Sequence, residues 1–168
     1  MPSFDILGFK ATRDGLLPGD KHLKAIKEFP LPRTVKEVQA FLGLVNFLRR
    51  FIPNCSKLQR ALQRVIVQKK KGSIELGLEE KAEFEGLKLA LLRYPALIHP
   101  DMRKPFCIHV DASGTGYGAI LTQRTKDEPD SELTKDNIPK GITKDHQVVS
   151  YASLALPRSH MRYSNPER

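Results

Sequence analysis

Apolar residues recur at helical spacing through one long segment of this chain. Val38, Phe41, Leu42, Val45 and Leu48 follow the i, i+3, i+4, i+7 pattern of a single buried helix face. Thr34 and Glu37 precede them as a capping box, in which the Thr34 hydroxyl accepts from the Glu37 N–H and the Glu37 carboxylate returns a bond. Pro53 is expected to stop this helix, with Arg49 and Arg50 at its end complementing the dipole. A further helix starts near Ser56, faces Leu58, Ala61, Leu62, Val65 and Ile66 inward, and ends at Lys69-Lys70-Lys71-Gly72. Another covers roughly 79–92, with Phe84, Leu87 and Leu91 inward. Ahead of them, Ile6 to Phe9 reads as a short strand and Arg13-Asp14-Gly15 as a turn. Pro18-Gly19-Asp20 opens a helix to about Phe29, which Pro30 and Pro32 end.

After Pro100 the period changes from helical to two. Phe106 to Gln123 alternates as two strands around a turn at Ser113 to Gly116, and His146 to Ala152 alternates as a third. Residues 124–145 are polar, charged and without period, which predicts an exposed, mobile insertion between strands. The class is therefore α+β (α/β), a helical region followed by a three-stranded sheet.

Asp111 closes the first of these strands. A carboxylate on a central, rigid strand beside a Gly-rich turn suits a first magnesium ligand in a two-metal nuclease. The plainer alternative is an acceptor that caps the turn through the Ser113 or Gly114 amides. His22, His99, His109, His146 and His160 show no metal-ligand spacing. Ser113 has no His–Asp partner pattern. Gly114, Gly116 and Gly118 join strand to strand and make no dinucleotide fingerprint.

Charge narrows the partner. The 168 residues carry a net +9, and residues 1–71 hold 15 Lys and Arg against 5 Asp and Glu, while the remainder hold 13 against 14. A basic half favours a polyanion, nucleic acid first. No run approaches the ~20 apolar residues of a membrane span. The start lacks a signal-peptide pattern, so an intracellular, non-secreted protein without a membrane partner is expected. Cys55 and Cys107 are isolated thiols that fit a reducing compartment.

Together these stretches resemble the thumb-to-RNase H portion of gypsy-type LTR retrotransposon polyproteins. Ile6-Leu7-Gly8-Phe9 with Asp14-Gly15 resembles the family's F-L-G-H strand and following S-x-x-G. Val35 to Asn54 resembles its thumb helix nearly position for position. Phe84, Leu87 and Leu91 resemble its A-F-x-x-L-K-x-x-L helix. Tyr94-Pro95-Ala96-Leu97 and His99-Pro100-Asp101 resemble its A-P-V-L-x-x-P-D loop. Phe106 to Gln123 resembles the L-x-T-D-A-S-x-x-G-x-G-A-V-L-x-Q signature. Ser150 to Ser153 and Arg162 to Ser164 resemble the Y-A-S…N-Y-S segment.

The resemblance implies a helical thumb-like region over 1–71, a connecting helix and loop over 72–105, and a partial RNase H-like mixed sheet over 106–168. It implies template–primer duplex or RNA–DNA hybrid as partner, together with the remainder of the reverse transcriptase polyprotein. Leu7, Gly8 and Phe9 would grip the primer. Lys36, Arg49, Arg50, Lys57, Arg60 and Arg64 would hold phosphates without reading sequence. Asp111 would be the catalytic carboxylate and a Mg²⁺ ligand.

Three departures bear on activity. No paired aspartates of a Y-x-D-D polymerase turn occur. Glu167 matches only the first acidic residue of the family's Y-S-x-x-E-x-E-L-L pattern. The insertion is longer than usual. Leu76, where the family customarily has tryptophan, reads as a packing change and not a lost function. Two-metal hydrolysis needs about four carboxylates. The expectation is thus a segment that binds nucleic acid and is inactive alone, with a non-catalytic, domesticated binder as the alternative. The strands should also lack cover over Ile108, Val110, Ile120 and Val149, at up to ~1.5–3 kcal/mol each.

Overall fold

The computed structural model describes residues 3–93, 96–125 and 146–156. The chain opens with a three-stranded antiparallel meander, β1 Ser3–Ile6, β2 Phe9–Thr12 and β3 Gly15–Pro18. The strand expected from Ile6 to Phe9 is instead a hairpin. Ile6 pairs with Phe9, and Leu7 and Gly8 form the turn at φ 49° and 82°. Two successive positive φ values define the tight turn whose twist matches that of the flanking strands, so extended pairing cannot run through them.

Among the described residues five α-helices follow: α1 Asp20–Glu28, α2 Val35–Phe47, α3 Cys55–Leu58, α4 Arg60–Lys69 and α5 Leu78–Arg93. Thr34 caps α2 as predicted, its hydroxyl accepting from the Glu37 N–H at 3.2 Å. The Glu37 carboxylate accepts chiefly from the Arg33 N–H, at 2.7 Å, one residue before the position a strict capping box uses. Chiefly the Arg33 N–H holds its carboxyl below the ordinary range. Helix α2 ends at Phe47, before Pro53 is reached. The Leu48 N–H bonds to Val45 and the Phe51 N–H to Leu48, so the chain tightens into a 3-10 turn over Arg49–Phe51. Asn54, left-handed at φ 51°, then starts α3 in place of the expected Ser56.

The core lies among these helices. Val38, Phe41, Leu42, Val45 and Leu48 are buried, as their spacing predicts, with Phe84, Leu87 and Leu91 of α5 opposite. The Phe41 and Phe84 rings sit 4.5 Å apart, and Phe29 packs on both. Burying one such side chain contributes about 1.5–3 kcal/mol. Ala61 and Leu62 are fully buried, while Leu58, Val65 and Ile66 pack on the cluster's margin.

The second sheet is β4 Phe106–Ser113, β5 Gly116–Arg124 and β6 His146–Ala155, in that order. Every described pair is antiparallel, so no parallel member of the expected mixed sheet lies among the described strands. Of the mobile insertion expected over 124–145, Arg124 instead ends β5, paired with His146, and residues 126–145 lie outside the described residues, as do Tyr94-Pro95, His160, Arg162 to Ser164 and Glu167.

Register separates the four residues grouped above as lacking cover. Ile108 pairs with Leu121 and points away from the helices, as does Val110, and both are 68% exposed. Ile120 pairs with His109 and Tyr151 on the face turned to the helices and is half-buried. Val149 falls at the irregularity opposite Leu121/Thr122 and is also half-buried.

Several contacts join the second sheet to the rest of the chain. The Ser56 N–H donates to Ser153 Oγ at 2.9 Å, and the Arg49 guanidinium donates to the Ser153 carbonyl. Val148 and Tyr151 pack on the helical core, and the Ile98 N–H donates to the Val148 carbonyl at 2.9 Å.

Candidate nucleic-acid interface

Asp111 stands opposite Gly118 on the sheet face that meets the helical half. Among the described residues its exposed carboxylate has no hydrogen-bond or ion-pair partner. The turn-capping alternative fails, because Ser113 does that work. Its hydroxyl donates to the Gly116 carbonyl at 3.1 Å and accepts from the Thr115 N–H at 3.3 Å.

Two cavities share Asp111. One, about 460 Å³, is bounded by Pro53 and Asn54 on the helical side and by His109, Gly118, Ile120 and Tyr151 on the sheet. Burial pushes the Tyr151 hydroxyl above its ordinary range. The other, about 120 Å³, runs from Asn54, Ser56, Lys57 and Arg60 to Asp111, Ser113 and Thr115. Gly118 belongs to both, and a Cβ there would stand 2.8 Å from Asn54 Oδ1.

The six predicted phosphate contacts divide into two groups. Arg49 is bound to the Ser153 carbonyl. Arg50 lies over the Phe9 ring, 5.6 Å from its centroid. Arg64 pairs with Glu79 at 2.5 Å. Lys36, Lys57 and Arg60 meet no carboxylate among the described residues. Lys36 lines a separate cavity with Lys70 and Lys71, whereas Lys57 and Arg60 share the smaller Asp111 cavity.

The predicted primer-grip residues sit on the hairpin. Leu7 is 88% exposed at the turn. Gly8 leaves no room for a side chain, since a Cβ would meet His22 Cε1 at 2.5 Å. Phe9 stacks on Phe47, with centroids 4.9 Å apart. Asn54 and Ser153 were missed by sequence reasoning. Asn54 carried a weak signal, as an Asn directly after a proline, a setting that tolerates the left-handed region.

Among the described residues, no three or more His, Cys, Asp or Glu side chains gather as a metal site. Asp111 offers one ligand, and the described donor set does not fit a pair of magnesium ions. No described helix is long and apolar enough to cross a membrane.

Helices packed on a meander, followed by an antiparallel sheet carrying Asp111, define a reverse transcriptase/RNase H-like α+β architecture. Residues 76–133 match the RNase H-like domain found in reverse transcriptase. The chain is 37% identical over 169 residues to the Pol polyprotein of Drosophila melanogaster transposon 412, covering 100% of this chain and 12% of that protein. Against the transposon 297 polyprotein of the same fly, identity is 38% over 71% of this chain and 11% of that protein. Against the gypsy polyprotein, also from D. melanogaster, identity is 33%, with 72% and 13% covered. Foamy viral protease-reverse transcriptase in complex with ds DNA superposes with a TM-score of 0.75 at 24% identity, covering 98% of this chain and 26% of that one. Its complex with RNA/DNA hybrid gives 0.74 at 24%, covering 96% and 20%.

The chain belongs to the Pol polyproteins of LTR retrotransposons, the gypsy type among them, and carries their RNase H-like reverse transcriptase domain over residues 76–133. It spans only about a tenth to an eighth of the polyproteins it matches.

Proposed function

We propose that this segment grips the template–primer duplex, or the RNA–DNA hybrid, for a reverse transcriptase, with residues 1–71 as thumb, 72–105 as connection and 106–168 as part of the RNase H-like domain. The observation that carries this reading is the basic helical half seated directly on the sheet face that bears Asp111. Lys36, Lys57 and Arg60 offer charges without internal partners among the described residues. Leu7 offers an apolar contact at the hairpin tip. Foamy viral relatives of this fold are seen with duplex DNA and with hybrid.

Asp111 is the proposed catalytic carboxylate and Mg²⁺ ligand of the larger polyprotein. When bound, such ions would activate water and stabilise a leaving oxygen. In this segment the proposed activity is binding without turnover, because Asp111 is the sole carboxylate among the described residues that border either cavity. RNA-directed DNA synthesis and hybrid cleavage are the activities proposed for the whole polyprotein.

The test is fluorescence anisotropy of a labelled RNA–DNA hybrid across a salt series. Each phosphate contact adds about 0.9 to the slope of log K against log salt for a B-form duplex, somewhat less for a single strand. A steep negative slope supports the reading, and a flat one defeats it. Metal-dependent cleavage by residues 1–168, abolished in Asp111→Asn, would defeat the claim of binding without turnover.

A further inference from the structure

The smaller Asp111 cavity is built from both halves of the molecule. We infer that it is a seat for one phosphodiester strand, in which Lys57 and Arg60 hold consecutive phosphates and Asn54 positions the strand beside Asp111. The inference rests on the nucleic-acid reading above and names where the strand lies.

Four observations carry it. Lys57 and Arg60 are exposed, border the cavity and meet no carboxylate among the described residues. Arg49, Arg50 and Arg64, by contrast, are each engaged within the protein. Among the described residues Asp111 is the one acidic group on the wall, and their sum is net positive. That sign attracts a phosphate while leaving a carboxylate at the strand's edge.

The second observation is Asn54. Its left-handed backbone, φ 51°, aims the carboxamide across the junction at Gly118. An amide there offers both a donor and acceptors to sugar or phosphate oxygens. The third is Gly118, whose missing side chain keeps Asn54 and the opposite Asp111 in one space. The fourth is that Arg49 and Ser56 both bond to Ser153, which fixes the helical wall against the sheet wall. A seat made of two rigid walls binds with less loss of side-chain and loop freedom than a mobile one.

Anisotropy of an 18-mer RNA–DNA hybrid on the 168-residue chain, over a potassium chloride series, tests this. Lys57→Gln with Arg60→Gln should weaken binding at least tenfold and lower the salt slope by about 1.8, two contacts at about 0.9 each. The charge-matched control Lys24→Gln with Lys27→Gln should change affinity less than threefold. The charge-preserving pair Lys57→Arg with Arg60→Lys should restore the slope. Placement is read with Thr115→Cys carrying an iron chelate. Cleavage of one strand within two or three nucleotides supports the seat, provided the Lys57/Arg60 Gln pair removes it. Wild-type binding with an unchanged slope in that Gln pair would overturn this inference and leave the broader reading standing. No binding by any form would overturn both.

Discussion

Asn54 Oδ1 occupies the space where Gly118 would carry a side chain, 2.8 Å from an ideal Cβ. The contact crosses the junction between the helices and the second sheet, next to Asp111. Gly118→Ala must therefore displace Asn54 or open the junction. The expected loss is about 1–3 kcal/mol, the usual range for overpacking. Asn54→Gly should be nearly neutral alone, since glycine adopts φ 51° without steric penalty. In the Gly118→Ala background it should recover most of the loss. Urea denaturation of the four proteins gives the coupling. A cycle closing within about 0.5 kcal/mol of additivity would show that the two residues do not meet.

Leu7 poses a separate question, because its proposed role and its backbone geometry oppose each other. It holds φ 49° and is 88% exposed. A left-handed conformation is disfavoured by roughly 1–2 kcal/mol for most L-residues and much less for Asn. Leu7→Asn creates the Asn-Gly pair that this hairpin turn prefers. Thermal melts should show a gain of about 1 kcal/mol. If Leu7 also touches nucleic acid, hybrid affinity should fall at least threefold while stability rises. A gain in stability with unchanged affinity would remove Leu7 from the interface.

Much of the helical half was legible, because its information is local. The period from Val38 to Leu48, the Thr34 cap and the prolines after Phe29 each act within a few residues. The hairpin tip was misread because Leu gives no sign of a positive φ, so Ile6 to Phe9 looked like a continuous strand. The candidate site was legible only in part. Asp111 stands out by its strand and its glycines, but the fates of Arg49, Arg50 and Arg64 depend on partners elsewhere in the chain. Arg49 reaches a carbonyl 104 residues away, and no periodicity reports such a contact. The same holds for Asn54, whose importance appears only once Gly118 lies beneath it.

Glu83 caps a helix other than its own. Its Oε2 accepts from the Ala61 N–H at 2.7 Å and the Leu62 N–H at 3.1 Å, at the start of α4. Burial nevertheless raises its carboxyl above the ordinary 4.5, outweighing those two donors. A raised folded pKa means that the protonated form suits the fold better. The resulting stability is complete below the unfolded pKa and is lost as pH rises through the folded one. Glu83→Gln keeps an acceptor oxygen and removes the charge. It should therefore match or exceed the wild-type melting temperature at pH 7, with the difference vanishing near pH 4. Glu83→Ala leaves two amides without their acceptor and should lose about 1–3 kcal/mol at either pH. A Gln variant less stable than wild type at pH 7 but equal at pH 4 would reverse the sign argued here.

Ser153 receives the helical half at two atoms, and the two can be removed separately. The Ser56 N–H bonds to its hydroxyl, whereas the Arg49 guanidinium bonds to its carbonyl. Ser153→Ala deletes the first bond only and leaves a half-buried amide unpaired, at about 1–3 kcal/mol. Arg49→Ala deletes the second, a bond to a charged donor, at about 1.5–3 kcal/mol. Both bonds tie the 3-10 turn and α3 to β6, so their loss should loosen the junction before it loosens the helical core. Hydrogen exchange distinguishes this from general destabilisation. In Arg49→Ala, amides of β6 should lose protection while those of α2 and α5 keep theirs. A uniform loss across the helices would mean that Arg49 supports the core as a whole. Hybrid binding gives the second readout. A residue that only holds the walls together should weaken affinity without lowering the salt slope, because no phosphate contact of its own is lost. A slope reduced by about 0.9 in Arg49→Ala would place its guanidinium on the nucleic acid after all, and its bond to Ser153 would then be a resting position.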